Sequence, residues 1–431
     1  MRHIKDYPKK SRPIRVVQFG GGVFLRGFFD WMLQKANDAG AYDGSAVIVR
    51  SRTRGEDPLA AQNFNYTHVA RDGEHTDVTV VNSIAGSVDA AGDYQAFLKL
   101  AEISTLETVV SNTTEAGIIY EKCPRPTDAC PASFPAKLTA FLHRRFSVGG
   151  TGLLILPCEL IEKNGDILRD IVLRHAADWA LGEDFTAWVT GECSFRNTLV
   201  DRIVSGAPAK GDQLTLAYED GMINTSEYFH LFVIEGQEDA RLPFARIGLN
   251  VKWVESVEDW RTVKVRILNG AHTSMIPYAM LLGIETVGDC LRDERTRLHL
   301  HACLEEILAS MDGDAKENRA YAAQVLSRFE NPYIRHLCAA ISLNSISKFR
   351  VRVLPSILAY REKTGHAPAH LLFALGMLIR FYQIGTPSDS EETIDQFRTG
   401  TVEALLADVD LWGVSLEEYA QEVARHADTS F

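Results

Sequence analysis

A short apolar run that ends in three glycines and passes directly into an amphipathic segment constrains this chain more than any other feature. The run IRVVQFG begins at Ile14 and is rich in β-branched residues, so it predicts a buried strand. Gly20, Gly21 and Gly22 follow, and the apolar residues after them recur at helical spacing. A strand, a glycine turn and a helix in this order are typical of the first unit of a parallel α/β sheet.

Strands and helices continue to alternate to about residue 250. Further strands are predicted at 45–50, 77–84, 107–114 and 152–157, and in the segments FTAWVTGEC and YFHLFVIEG. Beyond about residue 255, almost every segment has helical periodicity. We therefore expect an α/β fold: a Rossmann-like, doubly wound parallel sheet domain over residues 1–253, followed by a mostly α-helical C-terminal domain over residues 254–431.

Composition excludes several classes of protein. The 57 acidic residues outnumber the 45 lysines and arginines, which argues against a nucleic-acid partner. The seven cysteines show no CxxC spacing, as expected in a reducing compartment. No apolar run approaches the roughly 18 residues of a membrane span, and no apolar signal segment follows the N-terminus. We expect a cytoplasmic protein with no membrane partner, and its oligomeric state stays open.

The glycine turn is a candidate dinucleotide site. Gly20 and Gly22 allow the backbone to turn tightly and to approach a pyrophosphate at the start of the next helix. The residues predicted to contact the cofactor are Phe19, Gly20, Gly21, Gly22, Val23 and Phe24. A tight strand-to-helix turn with no ligand also explains the glycines.

The residues after the second strand bear on the choice between NAD and NADP. NAD sites usually carry Asp or Glu there, whereas this chain has Arg50, Ser51 and Arg52. Arg50 and Ser51 are predicted cofactor contacts, and the two arginines either bind a 2′-phosphate or are solvated. Glu56 and Asp57 lie too far along the chain for the usual geometry unless the loop bends back.

The segment SNTTEAG leaves a predicted strand with several polar side chains. Asn112, Thr113 and Thr114 are predicted to hydrogen-bond the ribose or nicotinamide, because such groups face the cofactor at the carboxyl end of a parallel strand. The same residues are also ordinary helix N-caps.

The segment KVRILNGAH places three chemically useful side chains on one predicted helix. At about 100° per residue, Asn269 lies about 140° from Lys264 around the helix axis and His272 about 80°. A lysine can donate the proton that a reduced ketone needs, an amide can support the oxyanion, and a histidine can orient either partner. A solvated lysine and a helix-ending Asn-Gly are the alternative.

Three cations occur within five residues of the segment NSISKFRVRVLP. Lys348, Arg350 and Arg352 are predicted to clamp a substrate carboxylate, and a solvated helix face explains them equally well.

No metal is expected, although two histidine pairs invite that interpretation. His299 and His301 diverge on a helix, and Pro368 interrupts the spacing of His366 and His370.

These motifs resemble the polyol-specific long-chain dehydrogenase/reductases, the mannitol dehydrogenase family. The resemblance covers about residues 14–356, through VQFGGGVFLRGFFDWM, SNTTEAGI, ILPCELIEKNGDILRD, VKVRILNGAHT and NPYIRHLCAAISLNSISKFRVRVLPS. It implies reversible reduction of a sugar ketone with NAD and no metal, with Lys264 transferring the proton and Asn269 as an oxyanion-hole amide. The arginines after the second strand leave NADP open.

The resemblance also implies two further catalytic residues and a substrate class. Where mannitol-type members have a CDNxPxNG stretch, this chain reads CELIEKNG, so only Asn164 is proposed as the second amide. Asp201 matches a family aspartate near the lysine, and its charge would help to set the pKa of that lysine. Ala340 and Leu343 replace polyol contacts beside a retained Lys348, which suits a keto-uronate or aldonate; a neutral polyol is the alternative.

A dinucleotide-sensing regulator without chemistry is a further alternative. Such a protein would be expected to have degraded catalytic residues, but Lys264, Asn269 and His272 are all present.

Overall fold

The structure is a computed structural model that describes residues 2–50, 55, 57–113, 117–208, 212 and 214–429. The chain divides into two compact units, Met1–Val257 and Glu258–Phe431.

The first unit contains both strands and helices. Its strands are β1 (Arg2–His3), β2 (Ile14–Phe19), β3 (Ser45–Arg50), β4 (Tyr66–Arg71), β5 (Thr76–Val81), β6 (Ile84–Asp89), β7 (Thr108–Ser111), β8 (Leu154–Pro157), β9 (Ser194–Phe195), β10 (Thr198–Asp201), β11 (Val204–Gly206), β12 (Tyr218–Glu219), β13 (Asn224–Glu227), β14 (Leu231–Glu235) and β15 (Val251–Val254). Its helices are α1 (Val23–Arg26), α2 (Phe29–Asp38), α3 (Tyr94–Leu100), α4 (Phe134–Ser147), α5 (Asn164–Asp178) and α6 (Glu183–Gly191).

The central sheet of this unit has six parallel strands in the order β6-β3-β2-β7-β8-β9. Along β2, Val17 and Phe19 belong to the hydrophobic core on one face of the sheet, and Val16 belongs to the core on the other. Both faces are therefore covered, which explains why these strands read as continuous apolar runs. The predicted α/β fold with a Rossmann-like parallel sheet is confirmed.

Two predicted strands were wrong in detail. The segment predicted as one strand at 77–84 contains parts of two: β5 pairs antiparallel with β4 in a separate four-stranded sheet, and only β6 joins the central sheet. The segment FTAWVTGEC is mostly helix α6, because Phe185 and Val189, four residues apart, are both buried on one side.

The predicted helix after the glycine turn is broken in two at Gly27. A Cβ atom at this glycine would lie 2.8 Å from Nδ2 of Asn224 and 2.9 Å from Cε1 of His68. The strands that carry these side chains approach the backbone too closely for any larger residue. Helix α1 is therefore a single turn, and α2 starts afresh at Phe29.

The second unit is helical, as predicted. Its helices are α7 (Glu258–Val263), a π-helix (Lys264–Asn269), α8 (Gly270–Leu281), α9 (Val287–Arg292), α10 (Glu294–Ser310), α11 (Ala315–Phe329), α12 (Cys338–Ile341), α13 (Ser345–Arg352), α14 (Leu354–Thr364), α15 (Ala369–Ile384), α16 (Glu391–Thr399), α17 (Val402–Ala407), α18 (Val409–Trp412) and α19 (Ala420–Ala427). Helix α8 packs against α10 and α15. Over the described residues, we find no helix with the length and apolarity that crossing a bilayer requires.

Candidate active site

The glycine turn joins the carboxyl ends of β2, β3 and β7. The N–H of Gly20 donates to the carbonyl of Val49 at 3.2 Å, and the N–H of Asn112 donates to the carbonyl of Phe19 at 3.1 Å. Gly20 has φ of 108°, and a Cβ atom there would lie 2.8 Å from the carbonyl oxygen of Asn112. Only glycine fits this position, on both counts.

The backbone after this turn leaves room for a ligand. Among the described residues, a Cβ atom at Gly22 would meet nothing within 4 Å, and none of their side chains caps the start of α1 there. The N–H groups of this turn are therefore compatible with a pyrophosphate. The side chain of Phe19 is buried and packs against Phe134, so this residue can offer only backbone to a cofactor, whereas Phe24 stacks on Phe28 and stays partly exposed.

A buried polar cluster lies behind the turn. Nε2 of Gln18 donates to the carbonyl of Gly20 at 3.0 Å and lies 3.4 Å from Oδ2 of Asp30. The hydroxyl of Tyr66 is 3.3 Å from the same carboxylate oxygen. All three side chains are buried, and burial raises the pKa of Asp30 to about 7. Sequence analysis missed Asp30, which reads as a polar residue on an amphipathic helix.

Arg50 lies at the end of β3, where the cofactor ribose is expected. Its Nη2 is 3.9 Å from Oδ2 of Asp89, and its Nη1 donates to the carbonyl of Gly55 at 3.3 Å. Ser51 and Thr114, both predicted cofactor contacts, lie outside the described residues, as does Arg52.

Glu159 organises the segment after β7. Its Oε1 accepts hydrogen bonds of 2.9 Å from both the N–H and the hydroxyl of Thr113, and its Oε2 accepts one from Ser111. The amide of Asn112 donates to the carbonyl of Cys158 at 2.7 Å. Burial raises the pKa of Glu159. The side chains of Asn112 and Thr113 thus hold the ends of β7 and β8 together, a role that sequence analysis did not foresee.

Asn164 lies in the interior of the first unit. Its Nδ2 donates to the carbonyls of Pro157, Glu159 and Thr198 at 3.0–3.2 Å, and its Oδ1 accepts the N–H of Thr198. Both ends of the amide are engaged in backbone contacts, so the described geometry favours a structural role over the predicted oxyanion contact. Asp201 is buried at the end of β10.

Lys264 and Asn269 are the first and last residues of the π-helix. In an α-helix they would be about 140° apart, but the i→i+5 bonding of a π-helix places the sixth residue one turn beyond the first. The π-helix therefore separates the two residues by a smaller angle around the helix axis than the roughly 140° of an α-helix. Both residues are half-buried.

Arg266 anchors this π-helix. Its Nε donates to the hydroxyl of Ser356 on α14 at 2.6 Å, and its Nη2 donates to the hydroxyl of Ser310 on α10 at 2.9 Å. Burial lowers the pKa of the guanidinium. Sequence analysis missed Arg266, because both partners lie far along the chain.

His272 is buried in an aromatic cluster. Its ring stacks on Phe329 with centroids 4.1 Å apart and meets the edge of His336 at 5.1 Å. Burial, with the charge of Arg328, lowers the pKa of His336. The imidazole of His272 is thus fixed in orientation.

The three cations of α13 do not act together. Lys348 and Arg352 lie one turn apart on the same face of the helix, whereas Arg350 faces away and its Nη1 donates to the carbonyl of Asp410 at 3.1 Å. Nζ of Lys348 donates to the carbonyl of Ile341 at 2.8 Å, and burial together with Arg352 lowers its pKa. The predicted three-residue clamp is reduced to Lys348 and Arg352.

Helix α13 packs against the π-helix and α8. A Cβ atom at Gly270, next to Asn269, would lie 3.3 Å from the carbonyl oxygen of Arg352. The end of α13 that carries Arg352 is therefore adjacent to the end of the π-helix that carries Asn269. Within the part of the chain that the structure describes, no group of three or more His, Cys, Asp or Glu side chains forms a metal site.

Comparisons with known proteins give a consistent result. A family model described as the mannitol dehydrogenase Rossmann domain matches residues 14–244, and one described as the mannitol dehydrogenase C-terminal domain matches residues 256–429. Altronate oxidoreductase of Halalkalibacterium halodurans is 38% identical over 99% of this chain and 92% of its own length.

Two solved structures share the fold. Substrate-free D-sorbitol dehydrogenase has a TM-score of 0.84 at 22% identity, covering 97% of this chain and 93% of its own. The Pseudomonas fluorescens mannitol 2-dehydrogenase complex with NAD and D-mannitol has a TM-score of 0.71 at 19% identity, covering 97% and 92%.

Proposed function

The chain belongs to the mannitol dehydrogenase family, and we propose that it is an altronate oxidoreductase that interconverts D-tagaturonate and D-altronate with NAD. The observation that carries this proposal is the π-helix, which begins at Lys264 and ends at Asn269. The likeness to altronate oxidoreductase over nearly the whole chain supports the substrate.

Residues 1–253 are proposed to bind the dinucleotide, and residues 254–431 to supply the groups that act on the sugar. The backbone of Gly20, Gly21 and Gly22 would hold the pyrophosphate, because the space beside Gly22 is open and the first turn of α1 lacks a side-chain cap. When bound, the oxidised cofactor accepts a hydride from the alcohol, and the reduced cofactor supplies one to the ketone.

Lys264 is proposed to move the proton. Reduction of a ketone leaves an alkoxide oxygen that must be protonated, and a positioned ammonium can donate to it. The amide of Asn269, at the other end of the same π-helix, would donate a hydrogen bond to that oxygen as its charge develops. His272, held by Phe329 and His336, is proposed to orient the lysine or a substrate hydroxyl.

Lys348 and Arg352 are proposed to bind the uronate carboxylate. The Nζ of Lys348 has three N–H groups, of which the bond to Ile341 uses one. Both cations are partly buried, so their charges are screened less than those of a solvated face. Ala340 and Leu343 leave the neighbouring positions without hydrogen-bonding side chains, which suits an acid better than a neutral polyol.

Loss of NADH absorbance with D-tagaturonate, D-fructuronate and D-fructose as alternative substrates tests this proposal. We expect kcat/KM to be highest for tagaturonate, by at least about tenfold. A preference for fructuronate would change the substrate but not the chemistry. A preference for fructose would remove the role of Lys348 and Arg352, and no turnover of any ketone would contradict the proposed activity.

A further inference from the structure

An ion pair lies at the end of β3, next to the position where dinucleotide-binding sheets distinguish NAD from NADP. In such sheets, the side chains after the second strand of the first unit face the 2′ position of the ribose. Here that strand is β3, and its last residue, Arg50, pairs in register with Asp89, the last residue of β6. The guanidinium and the carboxylate are 3.9 Å apart and are mostly buried, with 25% and 14% of their side chains exposed.

Asp89 is fixed in place by its own turn. Its Oδ1 accepts hydrogen bonds from the N–H groups of Ala91 and Gly92, at 3.1 Å and 3.0 Å. A Cβ atom at Gly92 would lie 2.8 Å from Oδ2 of Asp89, so the turn closes tightly around the carboxylate. The carboxylate is therefore held at the end of β6 before any ligand binds.

A second carboxylate returns to the same edge. Oδ2 of Asp57 accepts a hydrogen bond of 2.5 Å from the hydroxyl of Ser87 on β6. Ser87 precedes Asp89 by two residues, so both side chains leave β6 on the same face. Arg50 thus shares this edge of the sheet with two carboxylates.

We propose that Asp89 makes this chain select a dinucleotide with a free 2′-hydroxyl, by holding Arg50 and opposing a 2′-phosphate. A phosphate monoester carries about −1.5 to −2 charges at neutral pH and would have to compete with Asp89 for the guanidinium while meeting the charge of Asp57. A hydroxyl is neutral and can donate a hydrogen bond to a carboxylate. Of the two arginines that leave NADP open in the sequence, Arg50 is thereby committed within the protein.

This inference rests on the proposed use of a nicotinamide dinucleotide, and its test measures binding without sugar or turnover. Dissociation constants for NADH and NADPH are obtained by calorimetric titration of the wild type, Asp89→Asn, and Asp89→Asn combined with Arg50→Met. Asparagine keeps an oxygen that can accept from Ala91 and Gly92 but removes the charge.

We expect the wild type to prefer NADH. Asp89→Asn should lower the ratio of NADPH to NADH dissociation constants by at least about tenfold, because Arg50 is released to bind the phosphate. The added Arg50→Met change should reverse that gain. An unchanged ratio in folded Asp89→Asn, or tighter binding of NADPH by the wild type, would overturn the proposal.

Arg50→Met alone provides an independent check if Asp89→Asn does not fold. Because Arg50 is already engaged by Asp89, this variant should weaken NADPH binding by less than about tenfold. A larger loss confined to NADPH would show that Arg50 binds the phosphate in the wild type, and would overturn the proposal. Failure to bind either dinucleotide would instead contradict the proposed function itself.

Discussion

Nε of Arg266 donates a 2.6 Å hydrogen bond to the hydroxyl of Ser356, and this bond ties the π-helix to α14. The second bond, to Ser310, ties the same side chain to α10. Arg266, which lies between Lys264 and Asn269 in the sequence, thus anchors the helical segment that carries both side chains.

Replacing Arg266 should impair turnover without touching the reacting groups. We expect Arg266→Met to lower kcat by about tenfold or more with little change in KM, and to destabilise the fold by about 1–3 kcal/mol, since two buried hydroxyls lose their donor. Steady-state kinetics and urea denaturation measure the two effects. Ser310→Ala, which removes one bond, is the matched control and should have the smaller effect; equal kcat in Arg266→Met and the wild type would exclude a positioning role.

Replacing Lys264 should remove the proton donor. Lys264→Met keeps the chain length but not the amine, and we expect kcat to fall by about 10²–10⁴-fold while the dissociation constant for NADH stays constant. Lys363 supplies the control. It lies on the surface of α14, where its Nζ donates to Oδ1 of Asp312 at 2.7 Å, and Lys363→Met should retain wild-type kinetics. Retention of wild-type kcat in Lys264→Met would refute the assignment.

The separation of the cations on α13 gives a paired prediction. Lys348→Met should raise KM for tagaturonate by about tenfold or more, because a charge-assisted hydrogen bond to the carboxylate is lost. Arg350→Met should leave KM unchanged and lower the melting temperature instead, since its guanidinium binds the carbonyl of Asp410. The reverse pattern would show that Arg350 contacts the substrate.

The buried carboxyl behind the glycine turn makes stability depend on pH. The pKa of Asp30 is raised by burial from its ordinary value of 3.8 to about 7, so the folded state holds a proton between these values that the unfolded state releases. This contribution to the free energy of unfolding is fully present below about pH 4, is lost as the pH rises, and is gone above about pH 7.

Asp30→Asn isolates that contribution. The wild type should lose more stability than the variant between pH 5 and 8, by up to about 3 kcal/mol, because asparagine has no charged form to desolvate. Urea denaturation of both proteins across this range measures the difference. Parallel pH profiles would show that Asp30 does not carry the predicted proton.

The sequence was most informative where one physical requirement dominates. Buried parallel strands need continuous apolar runs, so β2, β3 and β8 were predicted correctly. Local periodicity could not show where a chain changes sheets, which is why β5 and β6 were merged. It also predicted a strand at α6. The β-branched and aromatic residues there favour a strand, but packing against the core selects a helix.

The candidate site shows a similar limit. The residue types around Lys264 predict a proton donor and an oxyanion amide, but they do not predict the π-helix. Arg266 anchors that helix to Ser310 and Ser356, which lie 44 and 90 residues further along the chain. Sequence spacing also grouped Arg350 with Lys348. Only the folded structure shows that the guanidinium of Arg350 donates to the carbonyl of Asp410 on α18. Glu159 and Asp30 lie within motifs that the sequence shows, but their residue types alone do not reveal which groups they hold in place.

The break at Gly27 limits α1 to one turn, so only a few aligned peptide dipoles point toward the glycine turn. A long helix would add a macrodipole of about half a charge at its N-terminus, but here that attraction for a diphosphate is largely missing. Anion binding must then depend on individual amide groups at short range. Affinity for the dinucleotide should consequently tolerate charge changes along α2 and respond sharply to any shift of the turn itself.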